Sequence, residues 1–386
     1  MNVVTRSLQK ELNHYYKLIQ SGDFDIQQIS KSAFTQSRAK LRHTAFVELS
    51  DKLVGKFYED APWMSWLNRR LLAIDGSTLQ LPESDSLRAV YSAHKFGSGE
   101  REKLVARISH LYDPLNQIVL HSTIGKYTTS EKVMCFTHLD SMKSGDVVLF
   151  DRYYPSVSLF ITLQNREIDF VGRLNEKWWT VARNLLAGKK RESIVHLKVN
   201  ANHIPQLQEH GITQTSIRCR IVKHVLPNGE EMVLCTSILD RRQYSHEAIV
   251  AAYQKRWGIE ESYKFLKCRL DMENFTGKTP HAILQDFYVK IFLSNLCTAL
   301  SLEEQIELEQ RQEKEPLQYQ YRINRANAIS ALKDLPIFMF LKRKLKQALA
   351  AFRSIITKSI SPIRPKRKYP RRTSARKKSK MNYKPV

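Results

Sequence analysis

Tyr253-Gln254-Lys255-Arg256-Trp257-Gly258-Ile259-Glu260, continued to Lys267, is the stretch around which the rest of the chain can be read. It lies in a run that begins near His246 and holds no proline until Pro280, and its apolar spacing predicts one long amphipathic helix. At about 100° per residue, Tyr253, Arg256, Glu260 and Lys267 fall at roughly 0°, 300°, 340° and 320° around the axis, a stripe about 60° wide. One helix face would thus carry a phenol, two cations and a carboxylate. That suits gripping phosphates around a metal-binding acid; the alternative is a solvated charged face.

Composition supports a polyanionic partner. The 386 residues carry 62 Lys and Arg against 38 Asp and Glu, a formal net charge of +24. Such a surplus points to nucleic acid or an anionic membrane surface. The most apolar predicted helix, near Phe287 to Leu302, contains Lys290 and is too short and polar to span a bilayer, so nucleic acid is the better partner. Hydrophobic residues at 42% fit a soluble globular protein. Cys135, Cys219, Cys235, Cys268 and Cys297 form no CxxC pair and no Cys/His cluster, which predicts free thiols in a reducing compartment without zinc. The N-terminal residues show no apolar signal region, so a cytoplasmic, nucleoid-associated location is expected.

Working outward, residues 1–65 read as short helices ending in a Ser/Thr/Gln/Arg-rich element. That suits a DNA-binding bundle of helix-turn-helix type, or a plain helical bundle packed on its neighbour. Residues 66–173 alternate strands and helices, predicting an α/β layer with a mixed sheet. Leu71–Ile74, Lys103–Tyr112, Gln117–Ile124 and Val147–Phe150 are strand candidates, and Thr129–Met142 reads as helix. Residues 174–240 are strand-rich, with a hairpin turn at Pro227-Asn228-Gly229, and read as an insertion opened by Trp178 and Trp179. Residues 241–302 return to helix, residues 303–360 end in a helix from about Ala326 to Phe352, and the basic stretch 361–386 predicts a disordered tail.

Three carboxylates stand out by position. Asp75 follows one buried strand, Asp151 follows another, and Glu260 lies on the cationic helix face. Singly, a strand-end aspartate is most often a turn or helix cap. Together, three such oxygen donors can hold divalent cations, and two-metal phosphoryl transfer asks of a protein little beyond acids for metal and cations for the phosphodiester. His94, His110, His121 and His138 lack ligand spacing and read as packing or surface residues, and no G-x-S-x-G elbow supports nucleophilic catalysis.

Asp75 in Ile74-Asp75-Gly76-Ser77, Asp151 in Leu149-Phe150-Asp151-Arg152-Tyr153-Tyr154, and Glu260 resemble the DDE arrangement of transposases with a ribonuclease-H-like catalytic domain. Tyr253-x2-Arg256-x3-Glu260-x6-Lys267 is similar, at every spacing, to the Y-R-E-K signature of the insertion-sequence-four family of bacterial transposases; the likeness covers roughly residues 25 to 300. The resemblance implies that Asp75, Asp151 and Glu260 bind two Mg2+ ions (or Mn2+) and run strand cleavage and transfer. It implies that Tyr253, Arg256 and Lys267 grip the terminal phosphates. DNA partners would be the terminal inverted repeats and the target, engaged by a homodimer. Two features are open: Tyr153 stands where the family commonly has glycine, and Trp178 and Trp179 are candidates for an aromatic that stacks on a flipped base, or are core. Trp257 is expected to pack the helix onto the sheet. Alternative readings are a related metal-dependent nuclease without strand transfer, and a transposase-derived DNA-binding protein without catalysis.

Overall fold

The computed structural model describes residues 8–20, 29–95, 102–226, 228–341 and 343–364. The chain divides into two units, one of Ala61–Thr78 and Arg107–Tyr263, the other of Met1–Asp60, Leu79–Ala106 and Lys264–Val386. The basic tail from residue 365 onward lies outside the described residues.

The first unit is built on a mixed sheet. In chain order the strands are β1 (Leu71–Gln80), β2 (Ser92–His94), β3 (Lys103–Asp113), β4 (Ile118–Lys126), β5 (Val147–Phe150), β6 (Asp169–Leu174), β7 (Glu192–Lys198), β8 (Ser216–Val225) and β9 (Glu231–Thr236). The order is β3-β1-β5-β6-β9-β8-β7, with β4 on β3, while β2 pairs with the first residues of β3 in the other unit. β1, β5 and β6 are parallel, with Leu71–Ile74 opposite Val147–Phe150 and these opposite Asp169–Gly172. All four β5 residues are fully buried, as a parallel strand covered on both faces requires. The Val157–Asn165 helix, capped by the Ser156 hydroxyl accepting from the Leu159 N–H, covers this part of the sheet and stacks Phe160 on Phe170 at 4.0 Å between ring centroids.

The strands of the 174–240 segment continue this same sheet. β9 pairs antiparallel with β6, and β8 and β7 follow outward. The turn between β8 and β9 places Gly229 at φ +84°, the left-handed conformation that the Asn-Gly pair favours. The turn after β3 is closed by Asp113, whose Oδ1 accepts from the N–H groups of Leu115 and Asn116 at 2.9 Å each.

Three expected helices are shorter than their patterns suggest. Thr129–Met142 resolves into a Glu131–Phe136 helix and a single 3-10 turn at Leu139–Ser141. The C-terminal helix breaks into Arg325–Leu332 and Leu345–Lys358, because Pro336 removes a helical donor between them. The predicted helix from His246 is two helices, His246–Gln254 and Trp257–Cys268.

The second unit is mainly helical. Its Pro280–Leu300 helix, capped by Thr279, is packed on nearly all sides and meets Thr44–Asp60 through Asn295 and the Ser50 hydroxyl, 3.1 Å apart. From the Lys31–Ala39 helix, Arg38 donates to Gln285 Oε1 at 2.6 Å and to Asp286 Oδ1 at 2.9 Å, and also bonds Thr276. Ile360–Ile363 pairs antiparallel with Gln320–Ile323, so the first residues of the expected tail are strand. Among the described residues, no helix is long and apolar enough to cross a membrane.

The register of β1 against β5 is set from the N-terminal ends. Arg70, just before β1, makes a fork to Asp146, just before β5: Nε to Oδ1 at 2.7 Å and Nη2 to Oδ2 at 2.6 Å, with the Asp146 carboxylate nearly fully buried. Arg70→Ala is expected to leave that carboxylate unpaired and lower stability by about 3–5 kcal/mol. A urea titration followed by circular dichroism would show this as a lower midpoint, and an unchanged midpoint would remove the pair from its role.

Candidate active site

Parallel pairing places the two aspartates. The last paired rung of β1 and β5 is Ile74 opposite Phe150. Asp75 and Asp151 are therefore each one residue past the same rung, on strands roughly 4.8 Å apart. β1 itself continues through Asp75 to Gln80, so Asp75 ends the parallel pairing and not the strand. Carboxyl ends of parallel strands are where open α/β sheets present functional groups.

Glu260 and Arg256 join Asp75 from the helical side. Arg256 Nη2 donates to Glu260 Oε1 at 3.1 Å, and its Nη1 lies 3.8 Å from Asp75 Oδ2. Arg256 is only 5% exposed, and its Nε is buried without a hydrogen-bond partner. Burial pulls down the guanidinium's hold on its proton, but Tyr253, Asp151, Asp75 and Glu260 outweigh it, so the group stays charged. Burial pushes the Asp75 carboxyl up to about 7; Arg256 and the Gly76 N–H draw it down, and Glu131 and Asp151 push it up again. One buried cation thus sits among several carboxylates. Among the described residues, no three acidic, histidine or cysteine side chains stand in an array that could itself hold a metal ion.

The four signature residues do not share one helical stripe. The chain leaves the α-helix at Lys255, where the Lys255 and Arg256 N–H groups bond the carbonyls of Ala252 and Tyr253, three residues back. The reason is packing: a Cβ at Gly258 would come within 2.9 Å of Pro114 Cβ, so glycine lets the restarted helix approach the β3–β4 turn. Tyr253 is consequently buried at the end of the first helix, and burial pushes its hydroxyl up to about 12. Trp257, expected to pack on the sheet, is instead 60% exposed, with the Arg256 guanidinium 5.2 Å from its ring. Lys267 lies two helical turns beyond Glu260 and belongs to the second unit.

Tyr153, at the position where glycine is common, has no positive φ and leaves Asp151 unstrained; its ring is 44% exposed, with Lys132 Nζ 5.4 Å away. The two tryptophans separate: Trp179 stacks near Phe160, at 6.1 Å between centroids, whereas Trp178 is 64% exposed.

Residues without a sequence signal complete the site. Glu131 is held by Arg107 at 2.9 Å and accepts from the Tyr154 hydroxyl at 3.3 Å. It packs so closely on Gly76 that a Cβ there would lie 2.7 Å from its Cδ. Nothing in spacing links Glu131 to Asp75, because the sheet alone brings them together. Behind Asp75, its main-chain oxygen accepts from the hydroxyls of Tyr263 at 2.7 Å and Ser109 at 3.3 Å. Ser109 in turn bonds His138 Nε2 at 2.9 Å, and His138 Nδ1 lies 2.8 Å from His121 Nδ1. Burial, with His121 and His110 nearby, holds His138 well below the usual histidine range, so it is neutral. His121 and His138 thus serve a hydrogen-bonded core, as does Tyr263, a residue its place three positions after Glu260 could have suggested.

The raised Asp75 value sets a pH dependence. The folded protein holds this proton up to about 7, whereas the unfolded chain releases it near the ordinary aspartate value of 3.8. The folded state therefore binds more protons between these values, and stability falls as pH rises through that window. At about 1.4 kcal/mol per pKa unit, the decline approaches about 4 kcal/mol. Asp75→Asn is expected to abolish it and to be the more stable protein at pH 8 in EDTA. Urea unfolding of both proteins at pH 5 and pH 8 checks this, and equal slopes would contradict it.

Comparison with known proteins gives this geometry a family. The Transposase DDE domain family matches residues 66–296. The chain is 26% identical over 155 residues to the "Putative transposase InsZ" of Escherichia coli (strain K12), covering 38% of this chain and 49% of that protein. The chain thus spans about half the length of that curated relative. Among solved structures, a piggyBac transposase synaptic complex with hairpin DNA aligns over 74% of this chain and 57% of its own, at 12% identity and a TM-score of 0.42. With more than half of its length matched, and the aspartates, Arg256 and Glu260 within that match, this chain belongs to the Transposase DDE domain family.

Proposed function

We propose that this protein is a DNA transposase that binds the terminal inverted repeats of an insertion sequence and cuts and rejoins DNA by cation-dependent phosphoryl transfer. The observation that carries this is the shared grip of one buried guanidinium, Arg256, on Asp75 and Glu260, with Asp151 one residue past the same rung as Asp75. The Y-R-E-K spacing supports membership of the insertion-sequence-four family. The mixed sheet, with Asp75 and Asp151 where the parallel pairing of β1 and β5 ends, supports a ribonuclease-H-like catalytic core formed by 66–173 and 241–302, with 174–240 as its insertion.

The chemistry of the donor set suits a hard divalent cation, although the three acids do not stand as a ready-made array. Asp75, Asp151 and Glu260 offer only oxygens, and burial, with smaller pushes from Glu131 and Asp151, holds the Asp75 carboxyl above the usual carboxylate range despite Arg256. These three residues would hold Mg2+ or Mn2+, which would lower the proton affinity of an attacking hydroxyl and neutralise charge on the phosphate. Arg256, with an unpartnered buried N–H, is positioned to donate to a phosphate oxygen while screening the acids from it. Tyr253 backs that guanidinium, 5.9 Å from its ring. Lys267 continues the Glu260 face toward the DNA.

DNA recognition falls to the 1–65 region. Lys31, Ser32, Thr35, Gln36 and Lys40 are exposed along the Lys31–Ala39 helix and its C-cap, a surface suited to a groove, whereas Arg38 is committed inward. Trp178, exposed where Trp179 is packed, is the aromatic able to stack on an unpaired base. Two copies would engage the paired ends, in the cytoplasm where the chromosome lies.

Asp75→Ala, Asp151→Ala and Glu260→Ala are each expected to abolish cleavage of labelled element ends in Mg2+ while DNA binding by mobility shift persists; any one that cuts at the normal rate would refute the assignment. Cleavage without joining would favour the nuclease reading instead. Trp178→Ala is expected to slow strand transfer at least tenfold and to spare first-strand nicking, resolved on a denaturing gel.

A further inference from the structure

Glu260 and Asp75 come from different elements, and something must fix their separation. Two contacts bracket Glu260 on its helix. Two residues before it, Gly258 seats the helix against Pro114, where any Cβ would come within 2.9 Å of Pro114 Cβ. Three residues after it, Tyr263 sends its hydroxyl to the main-chain oxygen of Asp75 itself, at 2.7 Å. The same hydroxyl accepts from the main-chain N–H of His110, so the phenol ties the helix to the backbones of both β1 and β3. Its ring lies on that of His110, with centroids 4.5 Å apart, and is buried. A rigid aromatic arm fixed at its tip allows the helix little freedom to slide or rotate, because a buried hydroxyl that lost both partners would cost the desolvation of three polar groups.

We propose that Tyr263 is a positioning residue that fixes the Glu260 helix against the Asp75 backbone, so that less ordering of the two acids remains when a cation takes the place of the Arg256 guanidinium between them. This rests on the reading of Asp75 and Glu260 as cation ligands. Preorganised ligands bind tighter because the ordering is complete before the cation arrives. The anchor is the main chain of Asp75, so Tyr263 takes neither carboxylate oxygen; Oδ1 accepts from the Gly76 N–H at 2.9 Å and Oδ2 lies 3.8 Å from Arg256.

The test is a double-mutant cycle on Mn2+ affinity, measured by electron paramagnetic resonance of free Mn2+ on the full-length chain without DNA. Tyr263→Phe, which keeps the ring and deletes the hydroxyl, is expected to weaken binding about tenfold in the wild-type background and by less than twofold in the Glu260→Ala background. Replacing Tyr263 with 4-aminophenylalanine, which retains a donor, is expected to restore most of the affinity. Gly258→Ala displaces the same helix at its other contact and serves if Tyr263→Phe fails to fold; it is expected to show the same dependence on Glu260. Equal losses in both backgrounds, or wild-type affinity in Tyr263→Phe while Asp75→Ala has lost Mn2+, would overturn this role alone. Undiminished affinity in Asp75→Ala would overturn the cation reading and this inference with it.

Discussion

The parallel pairing of Leu71–Ile74 with Val147–Phe150 is the constraint on which the site depends. Parallel strands cannot be joined by a short turn, so the intervening chain must leave and return, and here it supplies β3, β4 and the Glu131–Phe136 helix. The Arg70–Asp146 fork fixes where the pairing starts, and so where it stops. A slip of one residue would turn every β5 side chain to the other face and carry Asp151 out of step with Asp75. The four fully buried residues of β5 make that slip costly, because the strand is packed on both sides.

Charge balance is the second constraint. Carboxylates do not assemble in a buried place without compensation, and here Arg256 provides it for Asp75 and Glu260 together. The compensation is partial, as the Asp75 value near 7 records. A cluster left one cation short is suited to take up another, and the uncommitted Arg256 N–H is suited to an anion. On the proposed reading, this same imbalance would equip the site for a metal and a phosphodiester.

Much of this was legible in the chain itself, and the parts that were not share a physical cause. Strand positions and the Asn-Gly turn follow from local chemistry, because hydrophobic runs and φ preferences act over a few residues. Asp75, Asp151, Arg256 and Glu260 were singled out by their settings together with a family resemblance in their spacing, and Arg256 does lie against both Asp75 and Glu260. The continuous helix through Tyr253 and Glu260 was not correct, because local periodicity has no knowledge of Pro114, against which Gly258 must fit. Trp257 changed from core to surface for the same reason.

The sequence by itself determined which chemistry is available: a strongly basic chain, acids at the ends of buried strands, and a cationic, aromatic segment around a third acid. Only the tertiary structure decided how these groups stand to one another. It bent the signature segment at Lys255, buried Arg256 between Asp75 and Glu260, brought Glu131 onto Gly76, and tied Tyr263 to the Asp75 backbone. Those relations depend on contacts between residues from 55 to 188 positions apart, where close packing and buried charge set the geometry and no local pattern can record it.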